Sequence, residues 1–189
     1  MLDLTYPSGP APLLKGAKSV RAAEMLPIVD ESGCVVAQAP REFCHSGSKP
    51  LHPVVHLHII DREGRIYLQK RAAHKKIAPL RWDTAVGGHI TYGETVAEAL
   101  FRESGEEIGF YDYNPYQYGT YVYESKVERE LIYVFAAVGN FTLKPDNDEV
   151  VEGRWWSIEE IEQNIGLNVL TSNFESEFAR IKNYLLALL

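Results

Sequence analysis

Several things are scarce in this 189-residue chain, and each scarcity excludes a class of protein. Only two cysteines occur, Cys34 and Cys44, so no disulfide scaffold holds the fold, and a reducing cytoplasm is the expected location. No run of about 18 apolar residues exists to span a membrane. The first residues, MLDLTYPSGPAPLLKG, lack the charged-then-apolar order of a signal peptide. Basic residues are outnumbered, 19 Lys and Arg against 26 Asp and Glu, for a formal charge of -7. That balance argues against a nucleic-acid polymer or an anionic membrane as partner. It also means that any phosphate-bearing substrate needs a divalent metal or a local basic cluster to offset the repulsion.

What is present suits one globular domain, since 46% of residues are hydrophobic. Residues 1–22, punctuated by Pro7, Gly9, Pro10, Pro12 and Gly16, read as an irregular leader, and residues 23–189 as a single domain. MLPIVD and CVVAQA flank a turn at Glu31-Ser32-Gly33 and predict a hairpin. Arg41 to His45 predicts a short helix, followed by a loop over Ser46 to Pro50. VVHLHIID and RIYLQK predict a second hairpin. WDTAVGGHI reads as a short strand entering a glycine turn. YQYGTYVYES, ELIYVFAAV and Val150 to Trp156 read as further strands, and Ser157 to Gln163 as a short helix. Capping-box spacings at Thr95–Glu98 and Ser172–Glu175 each predict a helix start. Strands interleaved with two or three helices predict a mixed α/β sheet with helices on its faces.

The chemistry concentrates in GHITYGETVAEALFRESGEEIGF, Gly88 to Phe110. On a helix, Glu103, Glu106 and Glu107 fall within about 100° of arc, beside an inward stripe of Val96, Leu100, Ser104 and Ile108. Three carboxylates that close repel one another unless a hard cation sits among them. Glutamates also favour helices, so a solvated acidic face explains the triplet alone equally well. The full segment resembles the Nudix box, with Gly88, Glu94, Arg102, Glu103, Glu106, Glu107 and Gly109 on its fixed letters and Phe110 at the apolar place after them. A chance match is on the order of 10⁻⁸ per starting point at average residue usage. Ser104 departs from the pattern, where the family has an aliphatic residue. Gly105 adds a helix-interior glycine, costing about 1 kcal/mol against Ala.

The resemblance implies a Nudix α/β/α sandwich with an N-terminal hairpin extension. It implies Mg2+ or Mn2+ on Glu103, Glu106 and Glu107, with Arg102 orienting a carboxylate at i+4. The implied reaction is attack of water on a small-molecule diphosphate, with Glu107 or Glu149 as base. Residues 24–156 further resemble isopentenyl-diphosphate isomerases of the same fold. That likeness places a second divalent metal, zinc or manganese, on His45, His52, His89, Glu128 and Glu130, and a substrate diphosphate on Arg71 and Lys75. His56, His58 and His74 read as structural or surface residues. One position conflicts: the isomerases carry a reactive cysteine in a Cys-Gly-His triplet, and here the triplet is Gly87-Gly88-His89. With a complete hydrolytic box and no acid at 87, hydrolysis of a nucleoside- or prenyl-diphosphate-type substrate is the expectation. The alternatives are isomerisation with another acid, such as Tyr118, and a non-catalytic ligand sensor. Tyr116, Tyr118, Tyr121 and Tyr123 alternate on a strand and read as sheet packing or as an aromatic floor. The terminal LLALL is apolar enough for a homodimer contact.

Overall fold

A computed structural model describes residues 2–17, 23–145 and 149–189. It divides into two compact units: Met1–Val55, Gly88–Leu100 and Gly119–Tyr133 form one, and His56–Gly87, Phe101–Tyr118 and Val134–Leu189 the other. The elements, in chain order, make a two-stranded and a seven-stranded sheet with helices between strands.

In the first unit, β1 (Met25–Val29) and β2 (Val35–Pro40) form the expected antiparallel hairpin. Its turn is set by Asp30, whose Oδ1 accepts the backbone N–H of Ser32 and Cys34 at 2.9 and 3.1 Å. Gly33 is needed there: its φ is +84°, and a Cβ would stand 2.6 Å from the Tyr133 hydroxyl. The expected leader runs beside this hairpin over residues 2–17, with bridges Thr5–Cys34 and Leu13–Gln38. Met1 and residues 18–22 of that leader lie outside the described residues. The predicted loop after His45 is different: α1 (Arg41–Phe43) continues into a wide helical turn, Cys44–Ser48, broken only at Gly47. The Ser46 and Ser48 hydroxyls, both bonded to the Phe43 carbonyl, hold that turn.

The large mixed sheet has strand order β5-β4-β3-β8-β7, with β6 on β3 and β9 on β4. Its strands are β3 (Leu51–Ile60), β4 (Ile66–Arg71), β5 (Trp82–Asp83), β6 (Val86–His89), β7 (Tyr116–Glu124), β8 (Arg129–Val138) and β9 (Val150–Trp156). All ten residues of β3 are buried, as befits a strand covered on both faces. The glycine turn expected at Gly87-Gly88 is instead strand β6. Neither glycine has a positive φ, so both continue the extended backbone.

The three longer helices are α2 (Val96–Ile108), α3 (Ile158–Asn164) and α4 (Ser172–Ala187). Thr95 and Glu98 make the reciprocal capping box predicted for α2, at 3.2 and 2.8 Å. The helix ends at Gly109, whose φ is +62°. For α4 the predicted box is displaced by one residue. Thr171 is the N-cap, its hydroxyl accepting the Phe174 N–H, while Glu175 turns to the N–H of Gly166. Phe174, Phe178, Ile181 and Leu185 line the buried stripe of α4 as its periodicity requires.

Candidate functional site

The acidic edge of α2 lies in the second unit. Val96, Leu100, Ser104 and Ile108 are all fully buried, so the predicted inward stripe fixes the helix's rotation. Ser104 sits there without cost to the polar inventory: it accepts from Tyr113 Oη at 3.0 Å and donates to the Phe110 carbonyl at 2.8 Å. Gly105 has a local reason as well, because a Cβ would meet the Tyr111 ring at 2.1 Å.

With the helix so turned, the three glutamates have graded environments. Glu106 is exposed, Glu103 half-buried and Glu107 buried. Arg102 bridges the first two, with Nη1 at 2.8 Å from Glu103 and 3.2 Å from Glu106, its i+4 neighbour. Glu107 Oε2 accepts from Gln69 Nε2 at 2.9 Å and from the Gly87 N–H at 3.1 Å. Burial, reinforced by the Glu103 charge, pushes the Glu107 carboxyl up to about 8. The Gly87 and Gln69 hydrogen bonds and the Lys75 charge pull the other way without offsetting it. A carboxylate pair that resists full ionisation, with one member buried, is a donor set suited to a hard divalent cation. The Gln69 Oε1 atom is also buried without a hydrogen-bond partner among the described residues.

The basic loop lies in the same unit. Arg71 Nη1 meets Asp83 Oδ2 at 3.2 Å, and its Nε donates to the Ile77 carbonyl. Lys75 pairs with Glu149, so the two residues expected to act on a diphosphate and as an alternative base hold each other. Tyr118 packs on Tyr184 of α4 at 5.0 Å and its hydroxyl donates to the Arg180 carbonyl.

The histidine cluster belongs to the first unit. His45, His52 and His89 each bring one ring nitrogen within 4.8 Å of the others. His45 comes from the helical turn after α1, His52 from β3 and His89 from β6. His52 Nδ1 donates to the Pro50 carbonyl at 3.0 Å, which leaves the lone pair on Nε2. That Nε2 is buried and has no hydrogen-bond partner among the described residues. Burial, with His45 adding to it, lowers the His52 pKa to about 4, so the ring is neutral near pH 7. His45 Nδ1 faces Glu128 Oε2 at 2.7 Å and its Nε2 faces His89 Nε2 at 2.9 Å. A carboxylate behind a histidine that turns its other nitrogen to a shared point is the arrangement found around bound metals. The orphaned His52 nitrogen therefore fits a divalent cation with nitrogen ligands. Glu128 reaches the cluster through the His45 ring, and Glu130 is buried on β8.

Two functional candidates escaped sequence reasoning. Gln69 is the one strongly polar side chain within IYLQ at the buried start of β4, which is the signal that could have found it. Glu177 lies on the buried stripe of α4, three residues after Phe174, and is fully buried against His56 and His58. A charged residue at that periodic position was the available signal.

The NUDIX domain model matches residues 50–174. The isopentenyl-diphosphate Delta-isomerase of Mycolicibacterium vanbaalenii is 31% identical over 139 residues, covering 70% of this chain and 77% of that one. An uncharacterized Nudix hydrolase of Nostoc sp. is 40% identical over 85 residues, covering 45% of this chain and 50% of its own. The crystal structure of DR0079 from Deinococcus radiodurans superposes with a TM-score of 0.73 at 21% identity, covering 83% of this chain and 98% of that one. Residues 50–174, which include the box helix and its glutamates, match that family's model, and this chain belongs to the Nudix family.

Proposed function

We propose that this protein is a metal-dependent hydrolase that cleaves a diphosphate linkage in a small molecule of the nucleoside- or prenyl-diphosphate type. The observation that carries the reading is Glu107: buried, raised to about 8, and held by Gln69 and the Gly87 amide. Glu103, Glu106 and Glu107 hold Mg2+ or Mn2+ in this reading. Such a cation, when bound, neutralises phosphate charge and makes a water more acidic. Arg102 fixes the Glu103 and Glu106 carboxylates against their mutual repulsion. Lys75 and Arg71 supply positive charge for the diphosphate, exchanging their present partners Glu149 and Asp83 for phosphate oxygens. Glu107, placed to accept a proton once ionised, is the base.

Phosphate or nucleotide release from a panel of nucleotide and isoprenoid diphosphates, with Mg2+ and with Glu107→Gln alongside, tests the reading. Metal-dependent release lost in the variant is expected; equal release by both proteins would sink it.

A second reading is isomerisation of isopentenyl diphosphate with no phosphate released. The histidine cluster favours it, because the matching positions are those the isomerases use and a curated isomerase is among the relatives. His45, His52 and His89 hold a zinc or manganese ion in that reading, with Glu128 and Glu130 completing the site. Gly87 speaks against it, since a glycine has no side-chain acid to protonate the double bond. Product analysis of the same incubations separates the two: dimethylallyl diphosphate formed without phosphate release selects the isomerase.

A further inference from the structure

Gln69 is paired on one side with Asp83 of β5 and on the other with Gly153 of β9, which fixes where its side chain leaves the sheet. Cross-strand partners share a face, so Asp83 and Gly153 are the neighbours placed to compete for its amide. Gly153 has no side chain. Asp83 is engaged elsewhere: Oδ1 accepts the Thr171 hydroxyl at 2.8 Å and the Thr84 N–H at 2.9 Å, and Oδ2 faces Arg71 at 3.2 Å. The Gln69 amide goes instead to α2, where Nε2 donates to Glu107 Oε2 at 2.9 Å. The Gly87 N–H reaches the same oxygen at 3.1 Å. Two donors from two strands thus converge on Oε2, and Glu107 Oε1 accepts no hydrogen bond among the described residues.

The rest of the Gln69 amide has no use in the fold. The side chain is 3% exposed, and its own Oε1 has no hydrogen-bond partner among the described residues. An apolar residue of like volume would fill the position without that orphaned acceptor. Glu107 Oε2 would still keep the Gly87 N–H. A glutamate carboxylate turns easily about its last torsion, whose two orientations exchange its oxygens. One donor on Oε2 leaves that rotation loose; a second, from another strand, fixes the carboxylate plane. We infer, on the reading of Glu107 as a metal-binding group, that Gln69 is a positioning residue: it pins Glu107 by Oε2 and so presents Oε1 to the cation. Partners of this kind, one hydrogen bond behind a ligand, change metal affinity by about tenfold to a hundredfold when altered.

Mn2+ binding, followed through the electron paramagnetic resonance signal of the free ion, tests the inference. All samples carry His52→Gln, which removes the histidine cluster as a competing Mn2+ site. Gln69→Met keeps the volume and removes the N–H. It is expected to bind Mn2+ about tenfold to a hundredfold more weakly than the parent, with a melting midpoint no lower. Parental Mn2+ affinity in the folded variant overturns the inference. Should Gln69→Met fail to fold, Gln69→Asn serves: its amide stops a methylene short of Oε2, the same loss is expected, and parental affinity again overturns it. The side-chain amide protons of Gln69 give a readout that packing alone would not move. In 15N-labelled protein they are assigned by their disappearance in either variant. Saturating Mg2+ is expected to shift them, because a cation on Glu107 draws charge from Oε2; unmoved resonances overturn the inference. Mn2+ binding that is indifferent to Glu107→Gln is a different result, and it sinks the underlying reading of Glu107.

Discussion

The histidine cluster and the acidic edge of α2 are both partly buried polar groups, yet burial drives them to opposite readiness. At His52, desolvation removes the proton: the pKa falls to about 4 and a neutral nitrogen with its lone pair is left near pH 7. At Glu107, desolvation retains the proton: the pKa rises to about 8 and the carboxyl is mostly neutral until a positive charge arrives. In the proposed reading, the same physical cost prepares one site to take a cation directly and makes the other exchange a proton for it. The difference teaches that burial selects the neutral form, and that chemistry decides whether the neutral form is the binding one.

The strongest way to break this comparison is to remove one donor from each site. Glu107→Gln is expected to lower metal-dependent turnover by about a hundredfold to a thousandfold, leaving zinc uptake at the histidines intact. His52→Gln is expected to abolish stoichiometric zinc uptake, read by atomic absorption after dialysis. Loss of both properties in either variant would show that the two sites are not independent.

A smaller effect is expected at Glu128. If it orients the His45 ring as the 2.7 Å contact indicates, Glu128→Gln weakens zinc by about tenfold to a hundredfold. An unchanged isotherm in calorimetry would remove Glu128 from the site.

Stability against pH sharpens the contrast further. Glu107 is raised in the fold, so the native state binds more protons than the unfolded chain above its ordinary pKa. Its contribution is present at acid pH and is lost as pH climbs toward about 8. His52 is lowered, so its contribution is present above about 6.5 and is lost as pH falls toward about 4. Metal-free protein is therefore expected to be squeezed from both sides. Glu107→Gln should gain about 2–4 kcal/mol over wild type at pH 8, and little at pH 4, by denaturant melts. A gain of equal size at both pH values would contradict the raised carboxyl.

The smallest effect is expected at Ser104, which belongs to neither site but turns the helix that carries one. Ser104→Ala leaves the Tyr113 hydroxyl without its acceptor and should cost about 1–2 kcal/mol. Metal affinity should stay at the wild-type value.

Much of this was legible in the residues, and unevenly. The β3–β4 hairpin, the α2 helix from Val96 to Ile108 and its stop at Gly109 follow from local alternation, capping and glycine. At Gly87-Gly88 two adjacent glycines permit a turn without requiring one, and pairing of β6 with β3 keeps them extended. The N-cap of α4 moved from Ser172 to Thr171 because both can cap, and packing of Phe174 selected the register. Glu103, Glu106 and Glu107 were marked by spacing, but not that Glu107 alone would be buried.

The order of residues by itself determined the box helix, its inward stripe and the candidate carboxylates, because a 3.6-residue period and a capping box act within a few positions. Only the tertiary structure decided which partners those groups meet. His45, His52 and His89 converge from three separate elements. Gln69, Gly87 and Glu177 enter through contacts between residues 20 to 121 positions apart. Such contacts depend on how strands and helices pack, and desolvation, which sets the proton occupancy of His52 and Glu107, exists only once they have packed.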